Sequence, residues 1–486
     1  MVDTLINGIY TVTGFLWEIP IPILLLGMGL AMTISFRGKF ILSIKFMWKN
    51  TLGLLFRKDS TNNKGGGTIS SWGSGMTALA STIGTGNIAG VATAITMGGP
   101  GAVVWMWVSG LLGVSTKASE IILGQRYRIR YKSHDEFECD RPFVMRDAMG
   151  WKTGALLIAV FCVLSGPWSN LTQSEALASS FHAAFGVPKW IILGIMGITL
   201  LIAMLGGLRR ISKIAEKIVP FMGILYIVCC IGIICFYWRD IPAAFASIFK
   251  GAFTPTAAAG GFIGATMKDA MRYGLARGMY SNDAGTGLGI VLHAGATTDH
   301  PVRQACWGWG EIFVDTIIVC TMTALTLICS GAYIEHGDIT SGELTTVAFI
   351  DVYGKWGGYL MAIILGLFVW TTILAIFYSC EKCLDMIVGD KQFTKTLRYI
   401  HIAYFLLPLI FLSTMQVEFI WALQDLISCA FIFITATLIL GNYKEIMRLF
   451  HDFFDRYIPA VERGENPEPI VYGEVVEDGS ALMDEK

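Results

Sequence analysis

The run Leu79-Ala-Ser-Thr-Ile-Gly-Thr-Gly-Asn-Ile-Ala-Gly90 lies within residues 71–97, a mostly apolar stretch long enough to cross a lipid bilayer. Each glycine lowers helix propensity by roughly 0.8–1 kcal/mol, and the stretch ends in Gly98-Gly-Pro-Gly101. We therefore predict that the helix opens around residues 84–87. Backbone groups freed inside a membrane need partners, so a broken helix of this kind lines a cavity that water or a ligand fills.

The whole chain has the composition of a membrane protein. Of its 486 residues, 54% are hydrophobic and only 15% are charged, and the mean hydropathy is +0.59, which leaves too little polar surface for a water-soluble globule. The net charge is −1, and basic residues do not alternate with aromatic ones as nucleic-acid binding would require. The eleven cysteines are scattered and indicate buried thiols. We expect a lipid bilayer around the chain and no nucleic-acid partner.

Counting apolar stretches of about 20 residues predicts an all-α integral membrane protein with about eleven transmembrane helices. The predicted spans are 10–35, 71–97, 99–125, 153–176, 189–206, 217–237, 257–272, 304–331, 358–380, 398–415 and 417–441.

The basic residues predict the orientation of these spans, because cytoplasmic loops carry an excess of Lys and Arg. One alternating set of loops, together with the C-terminal tail, contains thirty-one of the 36 Lys and Arg, and the other set contains four. This asymmetry favours an odd number of spans, with the N-terminus outside and the C-terminus in the cytoplasm. We expect a multi-pass protein of the cell inner (plasma) membrane, with a flexible tail after about residue 459.

A second glycine-rich run, Ala259-Gly-Gly-Phe-Ile-Gly264, lies in the predicted span 257–272. Glycines also permit close helix packing, and at this run both interpretations stay open. A break here would lie five spans after the first one. An odd number of helices per half inverts the second half, as in transporters whose broken helices meet at the membrane midplane.

This pattern predicts four parts of the chain. They are an N-terminal helix with a cytoplasmic amphipathic segment (1–70), a first five-helix repeat (71–237), a second inverted five-helix repeat (238–441) and a cytoplasmic tail (442–486).

The chain resembles the alanine/glycine:cation symporter family (sodium:alanine symporters). The resemblance rests on the run from Leu79 to Ile95 and on several later segments. These are Gly98–Ala102, Trp105–Trp107, Ala215–Phe221, Ile241–Phe245, Ala252–Pro255, Arg272–Gly278 and Thr298–Gln304. It implies a fold like that of the leucine transporters, five plus five inverted helices with one extra helix in front. It also implies sodium-driven uptake of small amino acids such as alanine.

The resemblance further implies a substrate site. The backbone of Thr85 and Gly86, together with Asn87, is expected to bind the substrate carboxylate, and Gln173 is expected to line the pocket. The carbonyl groups of Gly260 and Gly261 are expected to accept the substrate ammonium. Trp370, which departs from the family pattern, is a further candidate for lining the pocket.

The expected sodium site consists of oxygen atoms only, as a hard cation prefers. It contains the hydroxyl groups of Thr371 and Thr372 and the carbonyl groups of Ala80 and Ile83. Na⁺ is the expected coupling ion, and no organic cofactor is expected.

Several positions differ from the family pattern near the pocket. A Gly-Asn-Met-Val-Gln pattern reads Ser169–Gln173, and Ile376 stands where a tryptophan is common. An Arg-Gly-Gly-Pro-Met-Tyr-Tyr loop reads Asp140–Arg146, and Ser-Asn-Glu-Ala-Gly-Leu-Gly reads Ser281–Gly287. Sodium coupling is therefore better supported than alanine or glycine as the cargo.

Charged residues inside membrane spans are functional candidates. We expect Glu175 at a water-facing mouth and Lys117 and Glu120 as a structural pair. Lys268, Asp269 and Arg272 are spaced for contacts within their own helix, and a gating ion pair stays open for them. Asp315 has no partner that the sequence identifies. Glu175 and Lys268 keep proton coupling open as an alternative to sodium.

An intramembrane enzyme and an amino-acid sensor are the two other classes of function on which the sequence bears. We predict no enzyme, because an intramembrane enzyme would need clustered His, Asp or Ser within spans, and the histidines, His293 among them, fall in predicted connections. A transporter-like sensor that binds an amino acid without moving it stays open, as does the oligomeric state.

Overall fold

A computed structural model describes residues 2–56, 66–131, 136–205, 208–254, 266–336, 339, 341–388, 394–409 and 415–476. The glycine-rich run 259–264, with Gly260 and Gly261, lies outside these residues. The described chain is almost entirely helical, with a few very short strands.

The helices of the first half, in chain order, are α1 (Val2–Glu18), α2 (Pro20–Ser35), α3 (Lys39–Leu42), α4 (Ile44–Asn50), α5 (Ser71–Thr82), α6 (Gly86–Gly98), α7 (Ala102–Arg126), α8 (Arg141–Met149), α9 (Lys152–Ser169), α10 (Leu171–Phe185), α11 (Lys189–Met204) and α12 (Leu208–Phe236). Those of the second half are α13 (Ile241–Phe253), α14 (Met267–Asn282), α15 (Leu288–Ala294), α16 (Pro301–Ser330), α17 (Ala332–Glu335), α18 (Ser341–Tyr353), α19 (Lys355–Val388), α20 (Thr394–Leu406), α21 (Val417–Gly441), α22 (Tyr443–His451), α23 (Asp452–Tyr457) and α24 (Ile458–Glu462). Single 3₁₀ turns cover Leu52–Phe56 and Trp238–Asp240. The strands are β1 (Ile69–Ser70), β2 (Ile129–Tyr131), β3 (Phe137–Glu138), β4 (Ala296–Thr297) and β5 (Glu474–Val476).

Six stretches of the described chain are helical, long and apolar enough to cross a membrane, and the bent pair α5 and α6 adds a seventh. One of the six joins α9 and α10 over Lys152–Phe185, longer than the predicted span 153–176. The chain is therefore a multi-pass membrane protein. The number of eleven spans and the four-part division stay predictions.

The first predicted break is present. α5 ends at Ile83, whose ψ of 93° leaves the helical range, and α6 continues at an angle of 47°. Gly84 N–H donates to Asn87 Oδ1 at 2.9 Å, so the asparagine satisfies a backbone group that the break frees. A Cβ at Gly86 would lie 2.6 Å from Ser281 Cα, so only glycine fits this contact between the two halves.

A break of the second half lies between α14 and α15, after the predicted span 257–272, whose glycine-rich run 259–264 is outside the described residues. Residues 267–282 form the continuous helix α14, and the chain leaves the helix at Asp283 (φ 55°) before it resumes as α15. Gly285 and Gly287 also have positive φ values, which glycine adopts at little cost. The broken span therefore covers residues 267–294. The charged residues of α14 made this stretch resemble a polar loop.

The two broken spans lie antiparallel and in contact. Gly98, at the end of α6, approaches Ala270 near the start of α14, and Gly86 approaches Ser281 near its end. At the other side of the breaks, β1 pairs in parallel with β4, which aligns the start of α5 with the end of α15. Both breaks therefore lie at the same level, in the middle of the helix bundle.

The C-terminal segment is partly ordered, in contrast to our expectation of a flexible tail after residue 459. β5 pairs in parallel with β2, which in turn pairs with β3. Arg128 donates to the Tyr472 carbonyl at 2.8 Å, and the Arg126 guanidinium lies 4.3 Å from the Tyr472 ring centroid. The described tail thus lies against the loop between α7 and α8.

Candidate functional site

A cavity of about 720 Å³ lies at the level of the two breaks. Polar side chains, small residues and a few apolar ones line it. They are Ser81, Thr82, Gly86, Arg141, Cys162, Gly166, Ser169, Gln173, Met279, Tyr280, Asp283, Thr286, Leu288, Thr372, Ile376, Ser379, Cys380, Gln424, Ser428 and Phe431. Both broken spans, α9, α10, α19 and α21 therefore contribute to one site.

The first break supplies polar groups to this cavity, as the sequence predicted. Thr85 N–H donates to Gln173 Oε1 at 3.2 Å, so Gln173 on α10 occupies a backbone donor of the break. Gly86 lines the cavity. Asn87 points away from it, because its Nδ2 donates to Asp315 Oδ1 at 2.6 Å. Asp315 thereby has the partner that the sequence did not identify.

Tyr280 connects the two halves at the cavity. Its hydroxyl lies 2.5 Å from Thr172 Oγ1 and 3.4 Å from Thr85 Oγ1, and it accepts from Gln173 Nε2 at 3.2 Å. No signal in the sequence indicates Tyr280, because it lies in a stretch that resembles a loop.

The predicted sodium ligands are partly together. Thr372 lines the cavity, and its Oγ1 donates to the Ala80 carbonyl at 3.3 Å across the contact between α19 and α5. A Cβ at Gly84 would lie 2.7 Å from the same Thr372 oxygen, so the backbone of Gly84 is close to Thr372. Ile83 immediately precedes Gly84 in the chain. Ser81 also lines the cavity, and its buried hydroxyl has no hydrogen-bond partner among the described residues. The arrangement brings neutral oxygens together, which suits a weakly held hard cation.

Thr371 and Trp370, the predicted site residues next to Thr372, are not among the described residues that line the cavity. Thr371 Oγ1 donates to the Phe368 carbonyl of its own helix at 2.9 Å. Trp370 is half-buried against the core, whereas Ile376, one turn after Thr372, lines the cavity. A role for Thr371 and Trp370 stays a prediction.

The second break is held open by two residues of α7. Lys117 Nζ donates to the Asn282 carbonyl at the end of α14, at 3.3 Å. Glu120 accepts from Gly285 N–H at 2.6 Å and from Gly289 N–H at 3.1 Å, at the start of α15. The two side chains therefore satisfy the free groups of both helix ends, and their charges match the helix dipoles. Their roles are structural, as predicted, but among the described residues they do not pair with each other: Lys117 pairs with Glu311, and Glu120 accepts from the backbone.

A buried charge network continues from Lys117. Its Nζ lies 3.5 Å from Glu311 Oε2, and Glu311 Oε1 lies 2.6 Å from His293 Nε2. His293 is fully buried in α15, so our placement of it in a connection was wrong. The sequence does not identify this network because its members come from three helices.

Glu175 and Lys268 differ from our predictions, whereas Asp269 contacts its own helix as predicted. Glu175 is buried and lies 3.8 Å from Lys189 Nζ, so it does not face a water-filled mouth. Lys268 pairs with Glu18 of α1, and Asp269 caps its own helix by accepting from Thr266. Both groups of contacts are structural.

A layer of side chains around Trp421 closes the cavity on one side. The rings of Tyr280 and Trp421 lie 5.2 Å apart. Arg277 stacks on Trp421 at 4.2 Å and donates to both carboxylate oxygens of Asp425, at 2.6 and 3.1 Å. Beyond this layer lies a second cavity of about 860 Å³, which Arg277, Trp421 and Asp425 also line. The layer thus separates two cavities.

A second layer closes the site at the Arg141 side. Arg141 is buried; it donates to Asp140 at 2.8 Å, to the Thr286 carbonyl at 2.9 Å and to Ser379 Oγ at 2.7 Å. Its guanidinium lies 4.5 Å from the centre of the Phe431 ring. One side chain therefore links α8, the second break, α19 and α21. The sequence indicated a basic loop here and missed this contact.

Two broken, antiparallel helices around a central cavity, with a closing layer on either side, define a membrane transporter of the leucine-transporter fold. A solved structure of MhsT in complex with L-phenylalanine has this fold at a TM-score of 0.54 and 14% identity, covering 77% of this chain and 89% of that one. The chain belongs to the sodium:alanine symporter family, whose model matches residues 2–467.

Relatives of full length support this assignment. An uncharacterized transporter of Haemophilus influenzae is 35% identical over 450 residues, 92% of this chain and 95% of its own. The sodium/alanine symporter AgcS of Methanococcus maripaludis is 34% identical over 431 residues, 87% of this chain and 92% of its own. The resemblance noted in the sequence is confirmed, and the protein is a transporter and not an enzyme.

Proposed function

We propose that this protein is a sodium-coupled symporter that imports a small neutral amino acid by alternating access. Two findings support the proposal: the chain belongs to the sodium:alanine symporter family, and its relative AgcS of Methanococcus maripaludis is a sodium/alanine symporter. The observation that carries it is the contact of Thr372 with the Ala80 carbonyl beside Gly86 and Gln173. Ion oxygens and substrate groups are adjacent there, so that the binding of one favours the binding of the other.

Each partner has chemically suitable groups in this proposal. The substrate carboxylate accepts hydrogen bonds from the backbone of the first break at Thr85 and Gly86, where the N–H groups at the start of α6 carry partial positive charge. Gln173 releases the Thr85 N–H when the carboxylate takes its place. Na⁺ binds the oxygens of Ala80, Ile83 and Thr372, with Thr371 as a further ligand after a change of its rotamer.

Alternating access assigns a role to each closing layer. The Tyr280–Trp421 contact and the Arg277–Asp425 pair form the gate on one side, and the Arg141 contacts form the gate on the other. Opening one while the other stays closed exposes the cavity to one side at a time. Because Arg141 follows a basic loop, we assign its side to the cytoplasm and the protein to the plasma membrane, with the N-terminus outside.

The test is uptake of radiolabelled glycine, L-alanine, L-serine and L-glutamine into proteoliposomes, with an inward sodium gradient compared with an inward proton gradient. Thr372→Ala removes the hydroxyl next to Ala80, and Thr372→Ser restores it as the matched control. We expect sodium-driven accumulation that the alanine variant loses by at least about tenfold and the serine variant keeps. Proton-driven uptake that is equal in both variants would support the proton-coupled alternative, and binding without flux would support a sensor.

A further inference from the structure

Asp283 is a carboxylate that lines the cavity. It is the first residue of the second break, where its φ is 55°, and it lines the cavity together with Gly86 and Tyr280. Within the part of the chain that the structure describes, its side chain makes neither a hydrogen bond nor an ion pair. A carboxylate that is largely removed from water is costly unless a positive group or hydrogen-bond donors compensate it.

The other charged groups around Asp283 are already occupied. They are Lys117, Glu120, Glu311 and Asp315. Lys117 contacts Glu311 and the Asn282 carbonyl, and Glu120 accepts from two backbone N–H groups.

Asp315 has three donors of its own, namely Asn87, Ser281 and Thr316. The set therefore holds four carboxylates and one lysine, and among these four only Asp283 lines the cavity.

The second charged side chain of the cavity does not compensate Asp283. Arg141 is paired with Asp140 and is further bound to Thr286 and Ser379. The cavity wall thus holds one carboxyl group, that of Asp283, which forms no ion pair within the described residues, and it is located at the break that faces the carboxylate-binding break. A cationic group of the cargo is the natural complement, because opposite charges attract strongly where water is scarce.

We propose that Asp283 binds the ammonium group of the cargo. This assignment rests on the proposed function, and it replaces the carbonyl groups expected at residues 260 and 261 as the ammonium site. The zwitterion then lies between the two breaks, with its carboxylate at Thr85 and Gly86 and its ammonium at Asp283. The cargo class is a free α-amino acid, and α-hydroxy acids of the same shape are excluded.

Binding in detergent at saturating sodium tests the assignment. The probes are glycine, L-alanine, L-serine and L-glutamine, together with glycolate and L-lactate, in which a hydroxyl replaces the ammonium of glycine and alanine. The variants are Asp283→Asn, which keeps the shape, and Asp283→Glu, which keeps the charge. Asp351→Asn is the control, since it removes an exposed carboxylate of α18 far along the chain.

We expect the wild-type protein and the control to bind the amino acid at least about tenfold more tightly than its hydroxy acid, as a charged hydrogen bond provides. Asp283→Asn should reduce this ratio to within about threefold, while Asp283→Glu keeps it. The sodium concentration for half-maximal binding should stay unchanged in both variants.

The following results overturn the assignment. An unchanged ratio in Asp283→Asn means that another group binds the ammonium. A raised sodium requirement with an unchanged ratio at saturating sodium means that Asp283 binds the ion. If Asp283→Asn does not fold, equal binding of L-lactate and L-alanine by the wild-type protein overturns the assignment by itself. A wild-type protein that binds none of the amino acids contradicts the proposed function as well.

Discussion

Replacing Glu120 by alanine should destabilise the second break, because Glu120 is the acceptor for two backbone donors there. Gly285 N–H and Gly289 N–H donate to its two oxygens at 2.6 and 3.1 Å, and the side chain is fully buried. An unsatisfied buried donor costs about 1–3 kcal/mol. Two such donors give an expected loss of about 2–6 kcal/mol in the free energy of unfolding.

The assay is unfolding in detergent, followed by the tryptophan fluorescence of the protein. Glu120→Gln keeps one acceptor oxygen, so its loss should be about half that of Glu120→Ala. Glu462→Ala, which removes an exposed carboxylate of α24, is the control and should change stability by no more than about 0.5 kcal/mol. If Glu120→Ala has the same free energy of unfolding as this control, the two N–H groups find other partners, and Glu120 does not stabilise the break.

Two further predictions follow from contacts at the first break and outside the membrane spans. Gly86→Ala should reduce uptake into proteoliposomes at least about tenfold, because the added Cβ would lie 2.6 Å from Ser281 Cα. Gly90→Ala is the control: its Cβ would meet its nearest atoms at 3.8 Å, so uptake should stay within about twofold. Burial lowers the pKa of His300 to about 4, and its Nδ1 accepts the Val302 N–H. The folded state therefore favours neutral His300, and stability present above about pH 6.5 should decline as pH falls toward 4. Thermal unfolding between pH 7.5 and 4.5 measures this decline, and His300→Gln should show a smaller one; an equal decline in both proteins would refute the assignment to His300.

The first break could be predicted from the sequence because its cause is local. Gly84 and Gly86 weaken the helix, and Asn87 caps the freed backbone within three residues of Gly84. The contact of Gly86 with Ser281 adds a reason for glycine that no single stretch of sequence contains. Gln173 and Thr372, which the family resemblance indicates, line the cavity; their binding roles stay predictions, and such long-range contacts cannot be obtained from periodicity.

The break between α14 and α15 could not be predicted because its stabilising partners are distant in the sequence. Lys268 and Arg277 gave α14 the character of a cytoplasmic loop, but they are neutralised by Glu18 and Asp425, 250 and 148 residues away. Conversely, the run 259–264 has the higher density of glycine and no charge. A local count of charge and glycine therefore overlooks a break whose charged residues are paired across the fold.

The two breaks are stabilised in different ways, and this difference bears on the transport cycle. At the first break, Asn87 and Gln173 occupy single backbone donors through neutral hydrogen bonds, which a substrate carboxylate can replace. At the second break, the charged side chains of Lys117 and Glu120 hold both helix ends from α7. Charged hydrogen bonds of this kind are stronger than neutral ones, so the second break should keep its shape while the first one exchanges partners. The movements that open the cavity then fall on the Trp421 and Arg141 layers, and Asp283, fixed by the rigid break, presents its carboxylate in the same place throughout the cycle.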